Sequence, residues 1–116
     1  MKICILDDDI HCIFCIENFI RKIGCKCDVE TFFSPDLCLD HYKENEMPDL
    51  VLSDYSMPRM NGKEVINELR RMGFSGPAYF VTAWAEPDKS TIGLSGVVRK
   101  PIRLDDFKDI LVDHAV

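Results

Sequence analysis

The chain has 116 residues, of which 47% are hydrophobic and 29% charged, with a formal net charge of -6 and a pI of about 4.9. That length suits one domain with a real core, spanning 1–116, and that composition excludes a disordered polymer. The acidic balance argues against nucleic acid as a direct partner, no apolar run reaches the roughly 20 residues of a membrane span, and the start Met1-Lys-Ile-Cys-Ile-Leu-Asp7 turns charged too soon for a signal peptide, so a cytoplasmic protein is expected.

Lys2 to Leu6 is a short apolar run closed by Asp7-Asp8-Asp9, which predicts a first strand with acids at its C-terminal end. From Ile10 to Ile23 apolar residues recur at helical spacing, with Ile13, Ile16, Ile20 and Ile23 on one face and Gly24 as the stop. Val29 to Phe33 is β-branched and aromatic and predicts a second strand. Ser34-Pro35 supplies an N-cap and a first-turn proline for a helix to about Lys43. Asp49 to Asp54 predicts a third strand, Met57 to Gly62 a loop, and Lys63 to Met72 a helix with Val65, Ile66 and Leu69 inward. Ala78 to Thr82 predicts a fourth strand. Between Ala83 and Ser95 the pattern is weak, with Pro87 able to open a short helix and Gly93 to end it. Val97 to Arg99 predicts a short fifth strand, and Leu104 to about His114 a last helix. Five strands alternating with five helices imply a parallel sheet covered on both faces, an α/β fold.

The six cysteines are Cys4, Cys12, Cys15, Cys25, Cys27 and Cys38. A zinc pattern can be written from Cys12, Cys15, Cys25 and Cys27. Its second half is Cys-x-Cys, off the usual structural spacing, and its first half lies in an apolar helical run. With no export signal, reduced and mostly buried thiols are the expectation.

The strand ends carry the chemistry. The first ends in Asp7 and Asp8, the third in Asp54, the fourth in Thr82 and the fifth in Lys100. Neighbouring strands lie about 4.8 Å apart, so these ends can share one site. Carboxylates alone would repel one another. A hard divalent cation such as Mg²⁺ relieves that, and an ammonium and a hydroxyl add donors for a phosphoryl group. Phosphoryl transfer onto Asp54 follows. Each residue also has a plain structural reading: Asp7 to Asp9 as helix caps, Thr82 as strand composition, Lys100 as a solvated lysine. Their joint placement at four strand ends favours the site.

With Ile-Leu-Asp7-Asp8, Asp54-Tyr-Ser-Met-Pro58 followed by Gly62, Val-Thr82-Ala83 and Lys100-Pro101 in order, the chain resembles the response-regulator receiver domains of the CheY-like family nearly end to end. That resemblance implies a single flavodoxin-like (βα)5 domain, the fold of CheY, with strand order 2-1-3-4-5. The resemblance implies Asp54 as phosphoacceptor, Asp8 as a direct Mg²⁺ ligand, Asp7 acting largely through water, and the Ser56 backbone carbonyl as a further ligand. It implies that Thr82 bonds the phosphoryl oxygens, that Lys100 pairs with them, and that Lys100-Pro101 is cis. Asp9 falls outside the acid pair as an exposed helix-start residue. The implied partners are a sensor histidine kinase or histidine phosphotransfer protein and a downstream protein target, with no nucleic acid and no membrane. The chain would be a monomer or weak dimer, and a switch rather than a turnover enzyme.

Two departures stand out. The segment between Thr82 and Lys100 is about one helical turn short for a receiver, so its helix is expected to be short or irregular. The position that carries a switching Tyr or Phe in the family is Val97, whose side chain cannot swing as a ring does. Trp84, two residues after Thr82, is expected at the pocket rim or as a partly exposed loop aromatic. Three other functions are weighed against the switch. A phosphorylation-independent protein-binding module is kept alive by Val97 and the short fourth helix. A haloacid-dehalogenase-type phosphatase wants an acid where Ser56 stands. A thiol-based metal or redox protein is poorly served by the cysteine spacing.

Overall fold

A computed structural model of the chain describes residues 1–83 and 93–114. Its strands are β1 (Lys2–Leu6), β2 (Asp28–Phe32), β3 (Leu50–Asp54), β4 (Ala78–Thr82) and β5 (Leu94–Arg99), and its helices are α1 (Ile10–Ile23), α2 (Pro35–Glu44), α3 (Gly62–Arg71) and α4 (Leu104–His114). All strands pair in parallel in the order β2-β1-β3-β4-β5. The helix expected between Ala83 and Ser95, like Pro87 and Trp84, falls on residues outside those described.

Strand alternation sorts the core into two halves, because successive side chains leave a strand on opposite faces. Ile3 and Ile5 of β1, Leu50 and Leu52 of β3, and Tyr79 and Val81 of β4 meet Ile13, Ile16 and Ile20 of α1 and Phe107, Ile110 and Leu111 of α4. Cys4 and Leu6, Val51, and Ala78 and Phe80 meet Cys38, Leu39 and Tyr42 of α2 and Val65, Ile66 and Leu69 of α3. β3 and β4 are buried along their whole length. Every polar group at their ends therefore appears on the rim.

Helix boundaries follow capping chemistry. Asp9 opens α1 by accepting from His11 N at 2.9 Å, and Gly24 closes it in the left-handed region at φ 74°. Ser34 caps α2, with Pro35 at its first position. Asn61 and Glu64 exchange backbone bonds of 2.9 and 3.1 Å at the start of α3, a capping box. β5 is longer than its sequence suggests. Ser95 bulges out of register and its Oγ accepts from Ala78 N at 3.3 Å. Gly96 lies inside the strand, where a Cβ would sit 3.1 Å from the Tyr79 ring. Ser and Gly hide a strand from pattern reading, and pairing with β4 restores it.

One expectation on the cysteines is corrected. Cys25 and Cys27 are joined as a disulfide, with Cα atoms 5.4 Å apart, while Cys4, Cys12, Cys15 and Cys38 are free. The reason is local: Gly24 turns the chain out of α1, and the short run into β2 brings two alternate residues to one side within disulfide reach. Arg70 holds the far side of the sheet together. Its guanidinium donates to the carbonyls of Phe74, Gly76 and Gly93 at 3.3, 2.6 and 2.9 Å and lies 4.5 Å over the Phe74 ring. Burial lowers its pKa.

Gly62, at the first position of α3, is packed under the phosphoacceptor strand. A Cβ there would lie 2.5 Å from the Asp54 carbonyl oxygen and 2.9 Å from Phe80. Backbone cannot yield as a flexible side chain does. Gly62→Ala is therefore expected to destabilise the fold by about 1–3 kcal/mol, read as a lower urea midpoint with unchanged slope. An unchanged midpoint would mean that α3 shifts freely.

Candidate functional site

The rim assembles from four strand ends. Asp7 follows β1, Asp54 ends β3, Thr82 ends β4 and Lys100 follows β5. Pairing of Leu6 with Ser53, of Asp54 with Val81 and of Thr82 with Arg99 sets these ends level. Ligand oxygens of Asp7, Asp8 and Asp54 all lie within 4.8 Å of one another. Asp7 and Asp54 are buried, at 1% and 7% exposure, and Asp8 is exposed, so the cluster opens to solvent on one side. The Asp9 backbone N–H donates to Asp7 Oδ1 at 2.8 Å and fixes that carboxylate.

Lys100 reaches in from the sheet edge. Its Nζ lies 2.8 Å from Asp7 Oδ2 and 3.4 Å from Asp54 Oδ2. Its backbone N–H donates to the Thr82 carbonyl at 2.9 Å, which ties the β5 end to the β4 end, and the Lys100–Pro101 peptide is cis. Burial, then the negative charge of Asp7, pushes the Asp54 carboxyl up to about 6, against the pull of Lys100. Burial lowers the Lys100 ammonium, but its hydrogen bond to Asp7 and the charges of Asp7 and Asp54 outweigh that and raise its pKa. Asp7 contributes to both shifts: two buried carboxylates share one ammonium, with the Asp8 carboxylate close by. Hard oxygen donors, an exposed member and a surplus of negative charge fit a divalent cation of the Mg²⁺ kind, which keeps waters and takes few carboxylates.

The structure brings Asp7, Asp8, Asp54 and Lys100 together. Thr82 is fully buried at the level of the cluster. Ser56 is exposed at the start of the loop between β3 and α3, two residues beyond Asp54. Asp9 is the α1 cap and is exposed. Val97 is exposed on β5, opposite Phe80 in register.

Three residues escaped the sequence reading. Ser53 Oγ donates to the Asp54 carbonyl at 2.9 Å. Cys12, read only as a core thiol, stands beside the acid cluster, and burial, then the neighbouring Asp7, pushes its thiol up to about 12. The signal for it was its place one turn into the helix that follows the acid pair. Arg59, in the left-handed region at φ 74°, pairs with Asp36 at 2.8 Å across to α2. Both side chains are exposed, so the pair adds little stability.

The family model described as response regulator receiver domain matches residues 3–112. The two-component response regulator ARR12 of Arabidopsis thaliana is 30% identical over 115 residues, covering 95% of this chain and 19% of that protein. The chain thus spans about a fifth of that relative's length. The N-terminal domain of a response regulator/sensory box/GGDEF 3-domain protein from Carboxydothermus hydrogenoformans superposes with a TM-score of 0.84 at 23% identity, covering 98% of this chain and 93% of that one. The response regulator TrrA of Thermotoga maritima, solved in complex with Mg(2+)-BeF, gives 0.82 at 22% identity, covering 97% and 96%. These two likenesses carry the fold. With a family match that runs from the first strand to the last helix, over the same strand ends that hold the acids, the hydroxyl and the lysine, this chain belongs to the response regulator receiver domain family.

Proposed function

We propose that the chain is a phosphoacceptor switch in which Asp54 takes a phosphoryl group from phosphohistidine on a sensor histidine kinase or a histidine phosphotransfer protein. The observation that carries this is the Lys100 ammonium set between the Asp7 and Asp54 carboxylates at a rim that Asp8 leaves open. A carboxylate oxygen of Asp54 bonds to phosphorus as the P–N bond breaks, and the imidazole leaves with the electron pair. Lys100 neutralises the equatorial phosphoryl oxygens, and the Thr82 hydroxyl donates to them. Asp8, Asp54 and the Ser56 carbonyl would hold Mg²⁺ directly and Asp7 through water; bound there, the ion supplies further charge neutralisation.

The same groups make and break one acyl phosphate on the chain itself, so the protein is a switch and not a turnover enzyme. Phosphorylation draws Thr82 and Lys100 toward the new phosphoryl group, and the loops that carry them alter a surface read by a downstream protein. A cytoplasmic monomer or weak dimer, with no nucleic-acid or membrane contact, completes the proposal. Among the described residues no helix is long and apolar enough to cross a membrane. A phosphorylation-independent binding module is the second reading, favoured by Val97 alone, since an exposed isopropyl group cannot report occupancy by rotating inward as a ring would.

Incubation with acetyl phosphate and Mg²⁺ is expected to add one phosphoryl group by intact mass, lost in Asp54→Asn and with EDTA. A wild type unmodified by both acetyl phosphate and a set of histidine kinases would install the binding-module reading instead.

The raised Asp54 pKa has a pH signature. An acid that titrates near 6 when folded and near 3.8 otherwise stabilises the fold fully below 3.8, and that contribution is lost as pH rises through about 6. In EDTA, Asp54→Asn is therefore expected to be more stable than wild type at pH 8. A shift of this size, already net of the Lys100 attraction, is worth up to about 3 kcal/mol, and solvent screening at the open side of the cluster reduces the gain to about 1–2 kcal/mol. The gap should close as pH falls through 6. Urea unfolding at several pH values reads it, and a gap that widens toward acid would refute the burial account.

A further inference from the structure

We propose that Cys25 and Cys27 form a redox-active pair that exchanges with a small amino-acid-derived thiol, one carrying both an ammonium and a carboxylate, docked in the cavity between the end of α1 and the start of β2. The two cysteines are joined in the structure and stand in the turn between these elements. Both are half-buried, and both line a cavity of about 440 Å³. Ile20 and Val29 give it apolar walls, and Glu17 and Arg21 add one carboxylate and one guanidinium to the same lining. Those two charges stand four residues apart on α1, a spacing at which an acid and a base commonly pair. Here Arg21 bonds Asn18 instead, and Glu17 pairs with none of the described residues. The Glu17 carboxylate is therefore left to accept from an ammonium. The guanidinium, with five N–H donors, keeps some for a carboxylate.

The backbone holds the pair ready whether the bond is open or closed. The Gly24 N–H bonds the carbonyls of Ile20 and Arg21 at 3.1 and 3.2 Å, and the Asp28 N–H bonds the Met1 carbonyl at 2.8 Å. These anchors bracket the two cysteines and keep their Cα atoms 5.4 Å apart, inside the ordinary disulfide range. A cross-link stabilises a fold mainly by restricting the unfolded chain, and that effect grows with the length of the loop it closes. The loop here is only Cys25-Lys26-Cys27, so the bond contributes little to stability. A disulfide that is accessible and structurally dispensable belongs to the labile class. Cys4 and Cys38 differ: their sulfurs lie 3.8 Å apart but are fully buried, out of reach of a solute.

The exchange runs in two steps. A small thiol RSH gives its proton to solvent, and its thiolate attacks one sulfur of the pair. An RS–S bond forms as the Cys25–Cys27 bond breaks, and the other cysteine leaves as a thiolate. A second RS⁻ then attacks the RS sulfur of this mixed disulfide, forming RSSR and freeing the remaining cysteine thiolate. The two cysteine thiolates take up the two protons. In sum, two RSH are oxidised to RSSR and the protein disulfide is reduced to a dithiol. The reverse sequence closes the pair, and the nearby second cysteine resolves the mixed disulfide. None of this depends on Asp54.

The test equilibrates the 116-residue chain in buffers of the amino acid cysteine and its disulfide cystine at varied ratio, quenches with acid, and locates open thiols by alkylation and peptide mass. Cys25 and Cys27 should open and close together across the series, with no lasting adduct on either. Cys25→Ser and Cys27→Ser should each retain one adduct on the remaining cysteine, because no second thiol resolves it. A pair that stays closed at the most reducing ratio, or open at the most oxidising, overturns the redox role. Docking is read from the rates at which four thiols open the bond, compared at equal thiolate concentration: free cysteine, cysteamine, mercaptopropionate and mercaptoethanol. Two ion pairs at a half-exposed site give free cysteine a rate about 10-fold above that of uncharged mercaptoethanol. Glu17→Gln should remove the advantage of cysteamine and leave that of mercaptopropionate, and Arg21→Gln should do the opposite. Rates that ignore the charges on the thiol, or that neither variant changes, overturn the docking cavity.

Discussion

One ammonium between two buried carboxylates is the interaction on which the rest of this protein depends. Lys100 Nζ touches Asp7 and stands within ion-pair distance of Asp54, and both acids are almost wholly removed from water. A buried carboxylate without such a partner is costly. The lysine comes from the far edge of the sheet, two strands from Asp54 and three from Asp7. Its position depends on the pairing of β5 with β4 and on the bond from its own N–H to the Thr82 carbonyl. Strand pairing at the edge is therefore part of the site.

The neutralisation is incomplete, and that matters more than the ion pair itself. Asp54 is pushed up to about 6 although Lys100 pulls it down, because burial and Asp7 push harder. An arrangement with one positive and three negative groups has room for two more positive charges. An exposed Asp8 gives them a way in. A rim saturated with lysines would be more comfortable and would have no use for a cation or a phosphoryl group.

Packing beneath the rim is as tight as the electrostatics above it are unsatisfied. Gly62 presses its backbone against the Asp54 carbonyl and Phe80, Tyr55 stacks edge-on to Phe80 at 5.1 Å, and Ser53 bonds the Asp54 carbonyl from within β3. The acid stands on a floor that cannot slide. In the loop above it, Arg59 reaches across to Asp36 through an exposed pair that costs little to break.

The sequence by itself determined the fold class, the strand order once the resemblance was seen, and the four strand ends that make the site. These features rest on short-range patterns: apolar runs of a strand's length, helical periodicity in Ile13, Ile16 and Ile20, caps at Asp9 and Ser34, and polar residues where the runs stop. It did not disclose the full length of β5, because Ser95 and Gly96 read as loop until Tyr79 and Ala78 are beside them. It misjudged Cys25 and Cys27, whose bond depends on how Gly24 turns the chain. It placed Cys12 against the core, where it packs, and did not disclose that the residue also lines a cavity beside Lys100. Only tertiary structure decided those matters, along with the upward pKa shifts of Asp54 and Lys100. Periodicity is a property of neighbours along the chain, whereas burial, charge crowding and side-chain contact are set by residues that the fold brings in from other strands.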